Sequence, residues 1–262
     1  MPASYTHYRF GCQVFSMLPQ ALQDRIAPHR GLFDIGLHGP DVFFFTNPPV
    51  SNPVNRLGRG MHRQTGQTVL RRFAALDDGS DASFSYVAGF LCHFALDSMC
   101  HGYVEQMTAQ GVSHPRLETQ LDRSFLVEAG IDPVTADAAA HIVPSPAHAR
   151  TMARFYPQFS QQTLQQALHN MIYWLRFLSA PNKPKRLLLQ TVFRIIHAEH
   201  SFGAMVMTQI EDPACKQMVQ QLRQLYAEAL PLAAALISGW PNPDHPQYRY
   251  DFNGGFYETE QT

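Results

Sequence analysis

Residues 86–101 read YVAGFLCHFALDSMCH, and this stretch decides the fold. As a helix it is apolar on nearly every side, without the single stripe of a surface helix. A helix of this kind lies in the interior of a protein, because no face of it is suited to water. The stretch therefore predicts a helix that runs through the middle of the molecule.

The helical period also dominates the sequence on both sides of this stretch. Apolar residues recur at three- and four-residue spacing, while alternating strand patterns are scarce. We therefore predict an all-α fold. No break is long enough to be a flexible linker, so we predict one compact multi-helix domain over residues 1–262, with residues 240–262 as an aromatic tail packed on the body. The helical segments are 8–27, 57–75, 84–103, 116–130, 161–179, 185–206 and 213–237.

Three polar residues interrupt the central apolar helix: His93, Asp97 and His101. They follow one another in steps of four, about 40° apart around the helix axis, so all three project from one side. An ionised aspartate inside an apolar helix is costly unless it is paired or coordinated, and two neutral imidazoles do not neutralise it. A divalent metal ion does. The alternative interpretation is a group of hydrogen-bonded core residues.

Further side chains of metal-binding type lie before and after this stripe. His114 and Glu118 stand four residues apart at the start of the next helical segment. Upstream, Asp41 ends a glycine–proline loop, His62 lies near the start of a helix, and His7 is close to the first residue. Each of them alone is typical of an ordinary turn or surface residue. Their order along the chain carries more information than any pair among them.

In that order these side chains resemble the metal ligands of the bacterial zinc-dependent phospholipase C family, whose wider clan includes zinc-dependent nucleases of single strands. The resemblance covers about residues 1–130 and is most diagnostic between Tyr86 and Glu118. It implies an all-α protein that binds two or three zinc ions in a cleft. The matching residues are His7, Asp41, His62, His93, Asp97, His101, His114 and Glu118.

The resemblance also implies how these ligands divide among the ions. Imidazole and carboxylate groups are suitable zinc ligands. Secreted family members complete the third site with a processed N-terminal residue, and no pre- or pro-segment is visible here, so the expected number of ions stays at two or three. The implied sets are Asp41, His62, His93 and Asp97 for one zinc; His101, His114 and Glu118 for a second; and His7 with a bridging Asp97 for a third.

The activity that the resemblance implies is hydrolysis of a phosphodiester by a zinc-activated water. A phospholipid cleaved on the glycerol side is the implied substrate, and Asp41, or a water bound to it, is the implied general base. Two alternatives stay open. One is a hydrolase of a soluble phosphodiester or of single-stranded nucleic acid, and the other is a zinc-binding protein without catalysis.

Composition narrows the classes of partner. Only 16% of the 262 residues are charged and the net charge is −1, which argues against a protein that holds duplex nucleic acid by its phosphates. No apolar run reaches the roughly 18 residues of a transmembrane helix, and no interfacial helix is evident. Since no signal peptide is visible, we expect a cytoplasmic location, in which any contact with a membrane surface is transient.

The chain has 13 histidines, and five of them belong to the ordered set described above. A second group, His197, Glu199 and His200, also has metal-binding side chains. Its histidines are three residues apart and lack the spacing of a zinc-binding HExxH helix. We therefore predict that this group lies on an ordinary packed or surface helix.

Overall fold

A computed structural model describes residues 4–48, 50–242 and 244–258. Within these ranges the chain forms eleven α-helices and five short 3-10 helices, and its only β-pairing consists of two isolated bridges. The all-α prediction is confirmed. The α-helices are α1 (Ser4–Met17), α2 (Gln20–Ile26), α3 (Arg30–Gly36), α4 (Pro53–His62), α5 (Gly66–Leu76), α6 (Asp81–Ala109), α7 (His114–Glu128), α8 (Pro146–Phe155), α9 (Gln161–Leu178), α10 (Lys183–Ile195) and α11 (Lys216–Ser238).

The predicted central helix is α6, which is 29 residues long. The Ser80 side chain caps its first turn by accepting a hydrogen bond from the backbone N–H of Ser83. Every residue from Ser83 to Ser98 is buried. Helices α3 and α11 make the most extensive contacts with it. The prediction that this apolar stretch forms a buried central helix is confirmed.

Two predicted segments are each divided into two helices. The segment 8–27 breaks between α1 and α2 at Pro19, which has no N–H to donate to a continuing helix. The segment 57–75 breaks between α4 and α5, and Thr65 starts the second helix by accepting a hydrogen bond from the N–H of Thr68. The hydrophobic period continues across both breaks, so the period alone does not reveal them.

The prediction of one helix over 185–206 is wrong in its second half. Helix α10 ends at Ile195, and His197 has a φ of +55°, a left-handed conformation that does not continue a helix. His197, Glu199 and His200 therefore do not lie on a helix. The short helices α3 and α8 are absent from the predicted segments. Pro146, which the turn pattern assigns to a break, is the first residue of α8.

Two groups of buried apolar side chains hold the helices together. The larger group extends from Phe10 in α1 to Phe252 near the end of the described chain, and it includes Tyr248 from the aromatic tail. The tail predicted to pack on the body spans residues 240–262, and its residues 243 and 259–262 lie outside the described residues. The smaller group holds α10 against the end of α9 through Leu178, Ala180, Leu189, Phe193 and Val206.

No described helix combines the length and apolarity needed to cross a membrane.

Helices α3 and α6 approach each other backbone to backbone at two glycines. A Cβ atom on Gly89 would lie 2.1 Å from the carbonyl oxygen of Phe33, and one on Gly36 would lie 2.3 Å from that of Tyr86. Both distances are far inside van der Waals contact, and backbone atoms are not free to swing aside as a side chain does. Glycine at both positions is therefore required for this close approach of α3 and α6.

Replacing Gly89 by alanine should push the two helices apart. We expect Gly89→Ala to lower the free energy of unfolding by about 3 kcal/mol, because an added methyl group overpacks a rigid backbone contact. Gly60→Ala is the matched control, since a Cβ on this residue of α4 would have nothing within 4 Å. The control should raise stability by about 0.5 to 1 kcal/mol. Urea unfolding measures both, and equal stability of the two variants would contradict this packing.

Candidate metal centre

The fold brings all eight predicted ligands together from five elements. The three residues of the α6 stripe lie at the centre, and α1, α4, α7 and the 3-10 segment Gly39–Phe43 supply the others. Seven of the eight side chains are buried, and His114 is partly exposed. The prediction that His62 lies near the start of a helix is wrong, because the predicted segment breaks and His62 is the last residue of α4. The ligand candidates by element are His7 in α1, Asp41 in the 3-10 segment, His62 at the end of α4, His93, Asp97 and His101 in α6, and His114 and Glu118 in α7.

A tight turn lets the 3-10 segment approach α6. Gly39 has a φ of +46°, and a Cβ on it would lie 2.3 Å from Cδ2 of the His93 ring. Only glycine combines that backbone conformation with such a close ring. The turn delivers Asp41 to the same side of α6 as His93. Asp41 is 2% exposed there.

Asp97 occupies the middle of the cluster. Its Oδ1 lies 3.3 Å from Nε2 of His7, and its Oδ2 lies 3.0 Å from Nε2 of His93. Oδ2 is also 3.7 Å from Nε2 of His62 and 3.7 Å from Nδ1 of His101. One buried carboxylate is thus surrounded by four imidazole rings. Its two oxygens face different neighbours, which is the arrangement that a bridging ligand needs.

The candidate ligand atoms fall into three groups, within each of which all atoms lie within 4.8 Å of one another. Glu118 Oε1 is 3.3 Å from Nε2 of His101 and 3.2 Å from Nε2 of His114. This group has the same members as the set implied for the second zinc. His93 is shared by the other two groups. The three groups are His7, His93 and Asp97; Asp41, His62 and His93; and His101, His114 and Glu118.

Four of the imidazoles are oriented by hydrogen bonds at Nδ1. When Nδ1–H donates to an oxygen, the neutral ring presents the lone pair of Nε2, which is the usual state of a zinc-bound histidine. In all four rings Nε2 points to the carboxylates of the cluster. The Nδ1 partners are the carbonyl oxygens of Gly58 for His62 (2.8 Å), Leu37 for His93 (3.2 Å) and Phe252 for His101 (2.9 Å), and Glu105 Oε1 for His114 (3.1 Å).

Several atoms that face the centre of the cluster lack hydrogen bonds to any described residue. Nε2 of His62 and Oδ1 of Asp41 are 3.0 Å apart, yet neither has a hydrogen-bond partner within the described part of the chain. Nε2 of His93, Oδ2 of Asp97 and Oε2 of Glu118 are likewise buried and unpaired. An unsatisfied buried polar group costs about 1 to 3 kcal/mol. Metal ligation would satisfy all of these atoms, so the residues present fit zinc.

The charges in the cluster are strongly coupled. Burial opposes a charged His101, but the carboxylates of Asp97 and Glu118 outweigh it and raise the pKa of His101 to about 10. Burial also opposes a charged Glu118, yet His114 and His101 hold the pKa of this carboxyl below its usual value. The pKa of Asp97 is held well below its usual value by His101 and His93 against the same burial. The metal-free cluster therefore retains protons that a zinc ion would displace.

The groups that orient the imidazoles were not among the residues predicted from the sequence. Glu105 continues the α6 stripe by one more step of four residues after His101, so the spacing contained a signal for it. The carbonyls of Leu37 and Phe252 have no side-chain signature, and Phe252 belongs to the tail, far outside the resemblance. Residues 1–3, where a terminal ligand for a third zinc would be sought, fall outside the described ranges. The side chain of His200 is 88% exposed and joins no ligand group.

Fold and cluster together define an all-α protein with a buried cluster of histidine and carboxylate side chains that fit zinc. Residues 6–170 match the family model described as "Zinc dependent phospholipase C". The chain belongs to this family. The matched range contains all eight candidate ligands and ends within α9, before α10 begins. Searches of curated proteins and of solved structures returned no match.

The coupled charges give the zinc-free protein a distinct pH dependence. A pKa of about 10 for folded His101, against an ordinary 6.5, stabilises the metal-free fold below pH 6.5, and this contribution is lost as the pH rises toward 10. Zinc must displace the same proton, so its binding strengthens over that range. The difference in thermal midpoint between zinc-loaded and chelated protein should therefore widen from pH 6.5 to about 8.5. A constant difference in calorimetry would contradict the coupling.

Proposed function

We propose that this protein is a phospholipase C that hydrolyses the phosphodiester on the glycerol side of a phospholipid, giving diacylglycerol and a phosphorylated head group. Family membership supports a zinc-dependent phosphodiester hydrolase. The observation that carries the proposal is the convergence of five imidazoles and three carboxylates, several of whose inward-facing atoms lack partners within the described part of the chain. A structural zinc site is closed by four protein ligands, whereas the group of His101, His114 and Glu118 supplies three.

In this proposal each ligand group holds one ion. Asp97 belongs to the group of His7 and His93, and its Oδ2 also lies 3.7 Å from Nε2 of His62, so we infer that it bridges the ions of the two groups that share His93. Bound zinc supplies Lewis acidity, which lowers the pKa of a water molecule and neutralises phosphate charge. His114 is the most exposed member, with 23% of its side chain accessible, so the cluster opens to solvent beside it. We infer that the phosphate group enters at this edge. The charge needed to bind it comes from the metal centre, since the chain as a whole is close to neutral.

Asp41 is the proposed proton acceptor. Its side chain is buried, and Oδ1 lies 3.0 Å from Nε2 of His62 without a hydrogen bond. A carboxylate in this position has one oxygen to face a metal ion and a second to receive a proton from a water molecule. The rigid 3-10 turn after Gly39 fixes its orientation. Ligation and proton transfer are separable roles, and a conservative amide variant distinguishes them.

A cavity lined by residues of α1 and α7, although by none of the eight candidate ligands, favours a substrate with an apolar part. It has a volume of about 360 Å³, within the range of ligand-binding pockets. Tyr5 and Tyr8 reach it from the helix that carries His7, and Thr119 and Asp122 reach it from the helix that carries Glu118. Aliphatic and thioether side chains make up much of the remaining wall: Leu126, Ile131, Leu175, Leu178, Met205 and Met207. Such a wall suits acyl chains better than a nucleic acid or a small polar phosphodiester.

Two substrates and a chelator test the proposal. Zinc-loaded protein should release diacylglycerol from phosphatidylcholine, and a chelator should abolish the release. A chromogenic soluble phosphodiester serves as the second substrate. Cleavage of the soluble compound alone would contradict the lipid assignment, and bound zinc with no turnover of either substrate would make this a non-catalytic zinc protein.

Asp41→Asn separates the two roles of that carboxylate. If Asp41 accepts the proton, the variant should lose about 100-fold or more in kcat while it keeps the zinc content of the wild type. The matched control is Asp24→Asn, because Asp24 is an exposed residue far from the cluster in sequence, and its side chain accepts a hydrogen bond from that of Gln20. Turnover at the wild-type rate by Asp41→Asn would rule out its role as the base. Loss of zinc from this variant would limit Asp41 to ligation.

A further inference from the structure

Helix α10 lies beyond the residues that match the family, and its outward face is apolar. We call the five large apolar side chains that it exposes the α10 face. Most surface helices present polar side chains to water, and a contiguous exposed apolar patch marks a binding surface. The α10 face consists of Leu187 (66% exposed), Leu188 (62%), Val192 (41%), Ile195 (71%) and the capping residue Ile196 (59%).

The spacing of these residues places them on one side of the helix. Leu188, Val192 and Ile196 follow in steps of four, and Leu187 and Ile195 are eight apart, so they form two adjacent rows. The opposite side of α10 is already packed, because Leu189 and Phe193 are buried in the smaller apolar group. The α10 face is therefore not the core face of the helix. It is a second apolar surface that nothing in the described structure covers.

Aromatic side chains from α9 extend the surface. Tyr173 is 61% exposed, and its ring stacks on that of Phe177, which is itself 37% exposed. The Lys185 ammonium at the start of α10 lies 5.9 Å from the centre of the Phe177 ring, so the two helices meet there. Exposed aromatic rings beside lysine are typical of the interface between water and lipid head groups.

The charges on α10 itself have one sign. Residues 183–195 contain four lysines or arginines and no aspartate or glutamate, although the whole chain has a net charge of −1, and Glu199 is the first acidic residue after the helix. On α10 itself, Lys183, Arg186 and Arg194 form no ion pair with any described residue. An anionic oxygen is the partner that these groups lack.

We propose that the α10 face binds the surface of an anionic lipid bilayer. Apolar side chains on one side of a helix, flanked by lysine and arginine and free of acidic residues, are the features of a helix that lies in the membrane interface. The apolar rows enter the acyl boundary, and Lys183, Arg186 and Arg194 meet the phosphates. Association of two copies through the same face is disfavoured, because it would bring these basic groups together.

The segment that follows α10 is hydrogen-bonded to the helix that carries two of the candidate ligands. The chain that follows α10 contacts the first turns of α7, where the Ser113 hydroxyl donates to the carbonyl of His200 and the Thr119 hydroxyl donates to that of Ala204. His114 and Glu118 lie in these turns. A bilayer bound at α10 would therefore be held by a segment that is attached to the helix bearing two of the candidate ligands.

Vesicle flotation tests the docking surface. Wild-type protein should bind vesicles of equal parts phosphatidylcholine and phosphatidylglycerol more tightly than vesicles of phosphatidylcholine alone, and added salt should weaken the binding. The double variant Leu188→Gln with Ile195→Gln should bind the mixed vesicles about tenfold or more weakly. Val127→Gln is the matched control, because Val127 is an exposed apolar residue of α7, and it should bind like the wild type.

The outcomes are separable from those of the proposed function. Binding is measured in chelator as well as with zinc, so it does not depend on turnover, and the double variant should keep wild-type thermal stability because both side chains are exposed. If the proposed function holds, the variant also keeps wild-type activity on a soluble phosphodiester. Failure of the wild type to bind, or equal binding by the double variant, would overturn the proposal. A wild-type dimer that the variant converts to a monomer without vesicles would also overturn it.

Discussion

The structure depends on one buried charge. Asp97 lies in the middle of a helix that is apolar on every side, 2% exposed, with imidazoles around both of its oxygens. Burial alone would expel or protonate such a carboxylate. Helices α1, α4 and α7 each bring at least one histidine to the cluster, so imidazole rings surround the buried carboxylate. Zinc is the partner that satisfies the carboxylate and the inward-facing nitrogens together.

Backbone packing and metal chemistry are linked through α3. Gly36 and Gly89 let the backbones of α3 and α6 touch, and the residue after Gly36 is Leu37, whose carbonyl accepts the hydrogen bond from His93. The close helix contact thus sets the orientation of a candidate ligand. From the other side, the carbonyl of Phe252 in the tail orients His101 in the same way. Distant parts of the chain hold the rings in the orientation that zinc requires.

Local sequence properties carried the predictions that succeeded. Apolarity on all sides identifies a buried helix wherever it occurs, and a four-residue step places His93, Asp97 and His101 on one side of any α-helix. Contacts that depend on tertiary packing could not be predicted from the sequence. The carbonyl partners leave no side-chain pattern, and the period of α10 is the same whether Leu188 faces the core or solvent. The helix predicted across His197 failed because a period does not show where a left-handed residue ends it.

Bound zinc, counted by native mass spectrometry in the wild type and in Asp97→Asn, tests the central claim most directly. We expect two or three ions in the wild type and the loss of more than one ion from the variant, because Asp97 is the proposed bridge between the two ligand groups that share His93. An amide keeps the size of the side chain but removes the charge that both groups share. Loss of a single ion, or of none, would contradict the bridging role of Asp97 and the organisation of the centre around it.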